Sequence, residues 1–162
     1  MEPALFYESL GMDRVRCNLC PHHCHLSTGQ MGRCGVRYCA GGKLYALSYG
    51  RVGAYAVDPI EKKTLFHFLP VGKILSVGSA GRILYCNLCQ NHGLVQGDIP
   101  ELTVSPTDLV ERARQTEGNL GVAFTYNEPL IAYEYLLDAV KALKGAGLKT
   151  VLVSNGYVEG EP

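Results

Sequence analysis

The chain has 162 residues, 47% of them hydrophobic, which is enough to bury the core of one domain with a small appendage. Lys plus Arg and Asp plus Glu each number 15, so no global field draws a polyanion, and a nucleic-acid partner is not expected. The apolar runs are too short to span a bilayer, and Met1, Glu2 and Pro3 lack the basic start and apolar stretch of a signal peptide, so the expected address is the cytoplasm with no membrane partner.

Seven cysteines are an odd number for a disulfide scaffold, and five of them crowd into positions 17 to 39 among histidines and glycines. In a reducing compartment that clustering points to metal. The spacing Cys17-x2-Cys20-x3-Cys24-x9-Cys34 supplies four thiolates, the set required by a tetrahedral zinc or by an iron-sulfur cluster, with Cys39 as a spare. His22, His23 and His25 are read as supporting groups, since the cysteines complete the coordination without them.

Next along the chain, Lys43 to Tyr49 and Val52 to Val57 read as short strands broken at Gly50 and closed by Asp58 and Pro59, a small antiparallel accessory piece. The charged run Asp58, Glu61, Lys62, Lys63 reads as solvated surface beside a turn, and so does His67. Composition changes near Leu69 and Pro70, dividing the chain into a cysteine-rich region, 1–70, and a second region, 71–162.

In the second region Lys73 to Val77 is a buried strand that stops at Gly78, Ser79, Ala80 and Gly81. Ser105 caps a helix with Pro106 at its first position and Asp108 three residues after the cap. Gly121 to Tyr126 is a second strand. From Pro129, the residues Tyr133, Leu136, Leu137, Val140 and Leu143 recur at helical steps up to Gly145 and Gly147, and Thr150 to Ser154 is a third strand closed by Asn155 and Gly156. The order β, α, β, α, β predicts right-handed crossovers and a parallel sheet. With roughly 30 residues per βα unit this makes about three units, against about 250 residues for a closed eightfold barrel. The expected fold class is therefore α/β: a partial (β/α) barrel of three units with a parallel sheet, preceded by a small cysteine-rich accessory domain.

Ligands collect at the carboxyl ends of parallel strands, where the loop 81–91, the segment Asn127, Glu128 and Pro129, and the turn Ser154, Asn155 and Gly156 all fall. On these residues, together with Cys17-Asn-Leu-Cys-Pro-His, Val57-Asp-Pro-Ile-Glu-Lys-Lys, His67-Phe-Leu-Pro, Cys86-Asn-Leu-Cys-Gln-Asn and Thr125-Tyr-Asn-Glu-Pro, the chain resembles a radical S-adenosylmethionine enzyme of the pyruvate formate-lyase activating enzyme-like branch. Within that branch it is most similar to the AmmeMemoRadiSam-system radical enzymes.

The resemblance implies a [4Fe-4S] cluster held by three cysteines at the spacing Cys-x3-Cys-x2-Cys, with the fourth iron open to the amino and carboxylate groups of S-adenosylmethionine. Reduction would yield a 5'-deoxyadenosyl radical for hydrogen abstraction from a protein or small-molecule substrate, with an electron donor as partner. By position Cys86 and Cys89 are the second and third cluster ligands and Leu88 borders the adenine. Asn127 and Glu128 lie in the loop that meets the cofactor's ammonium, and Ser154 and Asn155 in the loop that approaches its ribose. The resemblance assigns no catalytic residue beyond the cluster ligands.

Arg82 stands where the first cysteine belongs. A guanidinium is permanently protonated and donor-only, so it cannot replace a thiolate, and cofactor cleavage by this chain is expected to be impaired. The chain also stops after the third strand, as a fragment would, so a second polypeptide completing the barrel is an expected partner. A non-enzymatic alternative pairs Cys17 and Cys20 with Cys86 and Cys89 as two zinc knuckles. An inactive gene fragment is a third reading.

Overall fold

The structure, a computed structural model, describes residues 1–85, 89, 91 and 101–160. Its first third is built from short strands joined by tight turns. β1 (Glu2–Pro3), β6 (Lys43–Ala46) and β5 (Arg37–Ala40) form one antiparallel sheet in the order β1-β6-β5. β2 (Tyr7–Gly11), β3 (Arg14–Cys17) and β4 (His25–Ser27) form a second antiparallel sheet in chain order.

Gly41 and Gly42, at φ 54° and 68°, close the β5–β6 hairpin as a two-residue turn whose twist suits the flanking strands. Met12 and Asp13 perform the same service between β2 and β3 with φ of 49° and 56°, a conformation that side-chain-bearing residues adopt at some cost. Val15, Leu19, Leu26, Cys39 and Leu44 bury their side chains together in the core of this region.

β7 (Arg51–Val52) pairs antiparallel with β10 (Leu102–Thr103). The largest sheet has four strands in the order β12-β11-β9-β8: Lys149–Leu152, Asn119–Phe124, Lys73–Gly78 and Ala54–Pro59. β9, β11 and β12 run parallel, whereas β8 lies antiparallel against β9 from Ala54 opposite Gly78 to Pro59 opposite Lys73.

Two helices cross over this sheet, α1 (Pro106–Gln115) and α2 (Tyr133–Gly145). Ser105 caps α1 by accepting from the Asp108 amide, and the Asp108 carboxylate accepts from the Ser105 amide in return, so the sequence signature forms a complete capping box. Leu109, Val110, Ala113, Leu136, Ala139 and Leu143 pack from the helices onto Leu75, Val77, Val122 and Phe124. The chain reaches α2 through a 3₁₀ turn, Pro129–Ala132, so the α-helix proper begins at Tyr133 rather than at Pro129.

The expected partial (β/α) barrel with a parallel sheet is not what forms. The described residues make twelve strands in four small sheets, with only two α-helices. Parallel pairing requires long crossover connections, and only the segments between β9, β11 and β12 provide them. The hairpins β2–β3 and β5–β6 turn within two residues and so return antiparallel, whereas β8 is joined to β9 by residues 60–72, which fold back as a 3₁₀ turn and loop instead of a crossover helix. The expected accessory hairpin is also divided: Lys43–Ala46 pairs with β5 and β1, while Ala54–Pro59 becomes the antiparallel edge of the main sheet. No helix among the described residues is long and apolar enough to cross a membrane.

Candidate functional site

The carboxyl ends of β9, β11 and β12 open on a cleft of about 430 Å³, and four of the sequence-predicted cofactor residues line it: Asn127, Glu128, Ser154 and Asn155. Half-buried Cys89 and Arg82 share its wall with Ile83, Leu84 and Val153. Cys86 and Leu88 lie outside the described residues.

Local geometry aims Glu128 inward. Tyr126 holds φ at 73°, a left-handed backbone that turns the chain sharply after β11, and Asn91 Nδ2 donates to its carbonyl at 2.8 Å. Asn127 then braces the neighbouring loop, accepting from the Ser79 amide and donating to Ser79 Oγ and the Gly81 carbonyl. Its amide is satisfied within the protein, so it positions the cleft wall.

Glu128, 5% exposed, caps the 3₁₀ turn. Its Oε1 accepts from the Leu130 amide at 3.0 Å and from Ser154 Oγ at 2.8 Å, and its Oε2 accepts from the Asn155 amide at 2.8 Å. A carboxylate offers about four acceptor positions, so Oε2 retains one for a ligand. No described cation lies within ion-pairing distance of it. The cleft therefore presents a fixed anion, a guanidinium, a hydroxyl and apolar walls, a combination that suits a zwitterionic ligand with an apolar body.

Cys17, Cys20, Cys24 and Cys34 line a second, much smaller pocket together with His22, Arg37, Ile83 and Ile131. Burial pushes the Cys17 thiol up to about 11 and raises Cys20 and Cys34 in the same direction, against the pull of neighbouring backbone amides and Arg37. Among the described residues no group of three or more Cys, His, Asp or Glu side chains is already arranged to hold a metal ion. The fifth cysteine, Cys39, is buried in β5 and its thiol approaches the Asp13 carbonyl at 3.7 Å. His22 donates through Nε2 to the Ile83 carbonyl at 2.9 Å, and His23 pairs with Glu159.

The two sites touch through the loop after β9. Gly81 (φ 93°) sits so close that a Cβ there would lie 2.7 Å from the Cys34 carbonyl and 2.8 Å from Val36 and Ile131, and the Arg82 amide donates to that same carbonyl. The Arg82 guanidinium stacks over Tyr85 at 4.1 Å, and Tyr85 Oη in turn donates to the Arg33 carbonyl.

Two buried ion pairs escape the sequence reading. Arg37 and Glu134 pair bidentately, and Asp58 accepts from Lys62, Lys63 and Tyr126. The expected solvated surface at 58–63 is thus corrected for Asp58 and Lys63, which are 5% exposed each, because folding β8 into the main sheet draws them under Tyr126. Glu134 falls off the apolar stripe of α2 and is buried all the same, so helical periodicity gives no signal of it.

No family model matches the chain, and no solved structure matches it. Among curated proteins it is similar to an uncharacterized protein of Methanocaldococcus jannaschii, 39% identical over 165 residues. That match takes in 100% of this chain and 49% of the relative, so the chain spans about half the length of the protein it matches.

Proposed function

We propose that the larger cleft binds S-adenosylmethionine, in a protein of the radical S-adenosylmethionine type whose cluster chemistry is disabled. The observation that carries this reading is Glu128: its carboxylate is held by Ser154 and Asn155 from the next strand's end, with one acceptor position free, beside Cys89. Glu128 meets the ammonium of the ligand, Ser154 and Asn155 flank its ribose, and Ile83, Leu84 and Val153 cover apolar surface.

A three-thiolate cluster does not fit these residues. The first ligand position is the donor-only Arg82, already stacked on Tyr85, so cofactor is bound here without reductive cleavage. A substrate and an electron donor belong to this reading as partners, and it takes the protein to be cytoplasmic, where clustered thiols stay reduced. The rival two-knuckle zinc reading has less support, because Cys17 and Cys20 share their pocket with Cys24 and Cys34 while Cys89 lines the cleft.

Calorimetric titration of the full chain with S-adenosylmethionine and with S-adenosylhomocysteine tests the proposal. Both bind, and Glu128→Gln weakens them by about tenfold or more, since it replaces a charge-assisted acceptor. Absence of binding by the unaltered chain overturns it. Production of 5'-deoxyadenosine after anaerobic reconstitution with iron, sulfide and reductant overturns the disabled-cluster part alone.

A further inference from the structure

The cysteine pocket is a second site, joined to the cofactor cleft through the loop 81–83, and backbone amides face its sulfurs. The amides of Leu19 and His22 favour the thiolates of Cys17 and Cys20, those of Val36 and Arg37 favour Cys34, and the Arg33 amide donates to Cys24 Sγ at 3.5 Å. Charge-assisted N–H···S contacts are what a buried thiolate set requires.

Arg37 adds a second, separate indication. Its side chain is 1% exposed, it lines the pocket, and its Nε has no hydrogen-bond partner among the described residues, while both Nη atoms are committed to Glu134. A buried guanidinium N–H is stabilised by an acceptor, and no described residue supplies one. A metal-bound thiolate sulfur is an acceptor of suitable charge.

The pocket is small, which favours one ion over a cluster. The free volume among the four cysteines is about 10 Å³, the space of a single water-sized sphere. One metal ion fits there once the thiols rotate inward about their Cα–Cβ bonds, whereas four irons and four sulfides would require the Ile83 and Ile131 walls to retreat. His22 is excluded as a ligand through Nε2, which is occupied by the Ile83 carbonyl.

We propose that Cys17, Cys20, Cys24 and Cys34 bind a single Zn²⁺ as a tetrathiolate site, with Arg37 bridging its negative charge to Glu134. Binding exchanges four thiol protons, released to solvent, for one dication and leaves a site of net charge −2 beside the guanidinium. The ion also fastens the loop that carries Arg82, because Gly81, Arg82 and Ile83 all rest on residues of this pocket.

The full chain, reduced and metal-stripped, is titrated anaerobically with Zn²⁺ and separately with Co²⁺. One equivalent binds, and the Co²⁺ form shows intense tetrahedral d–d bands with charge transfer from four thiolates. Cys20→Ser and Cys34→Ser weaken Zn²⁺ by at least about a hundredfold, in line with the loss of one of four ligands, while Cys39→Ser and Cys89→Ser leave stoichiometry and spectrum unchanged. Because a serine variant can fail to fold, the Co²⁺ spectrum of the unaltered chain is decisive in itself. Octahedral Co²⁺ bands, no retained metal, or iron with acid-labile sulfide lost on Cys20→Ser would each overturn the single-zinc site.

Discussion

Arg37 and Glu134 lie 97 positions apart in the chain and meet side by side in the interior, Nη1 2.8 Å from Oε1 and Nη2 2.9 Å from Oε2. The Leu5 amide donates to the same Oε1 at 2.7 Å, so β5, the N-terminal segment and α2 are tied at one point. With both side chains almost fully buried, removing one partner strands a charge. Glu134→Gln is therefore expected to cost about 3–5 kcal/mol in urea unfolding at fixed zinc, and Arg37→Met with Glu134→Leu to recover part of it. Equal losses in the single and double variants would count against a coupled pair.

The same guanidinium reaches the cysteine pocket, which separates its two roles. Arg37→Lys keeps the charge but loses the planar fork and the unpartnered Nε–H. Zinc affinity should fall by about 10–100-fold in a chelator competition, the usual effect of losing a group that supports a metal ligand. Unchanged affinity would mean that Nε serves nothing in the pocket.

Asp58 predicts a specific acid response. Burial raises its carboxyl, but the hydrogen bonds from Lys62, Lys63 and Tyr126 outweigh burial and hold it well below the usual carboxylate range. A depressed folded value contributes stability that is complete above the unfolded value of about 3.9 and lost as pH falls through it toward the folded one. Asp58→Asn lowers stability at neutral pH and flattens the decline below about pH 4 in urea midpoints measured across the acid range. Parallel acid slopes in the two proteins would exclude Asp58 as the source.

Gly81 tests whether the cleft loop depends on the cysteine pocket. Its φ of 93° and the 2.7 Å approach of the Cys34 carbonyl leave no room for a methyl group. Gly81→Ala should cost about 1–3 kcal/mol and speed amide exchange at Arg82 and around Cys34 together, because backbone on both sides must give way. Exchange changed at only one of the two would show the loop to be anchored elsewhere.

Much of the second region is legible from nearest neighbours along the chain. The Ser105–Asp108 capping box and the apolar steps from Leu136 to Leu143 form where local pattern places them, and the runs expected at 73–77 and 150–154 form strands at 73–78 and 149–152, since every interaction involved spans a few residues. The grouping of Asn127, Glu128, Ser154 and Asn155 follows from strand ends alone. The spacing of the first four cysteines already suggests that they share a site.

Tertiary structure alone decided the rest. Whether β8 would pair with β6 or with β9, and in which direction, depends on contacts that no short window contains, and that choice turned the expected parallel barrel into a mixed sheet with an antiparallel edge. The burial of Asp58 with Lys63 and of Arg37 with Glu134 was hidden for the same reason: a charge is read as solvated until a distant, oppositely charged partner makes its desolvation tolerable.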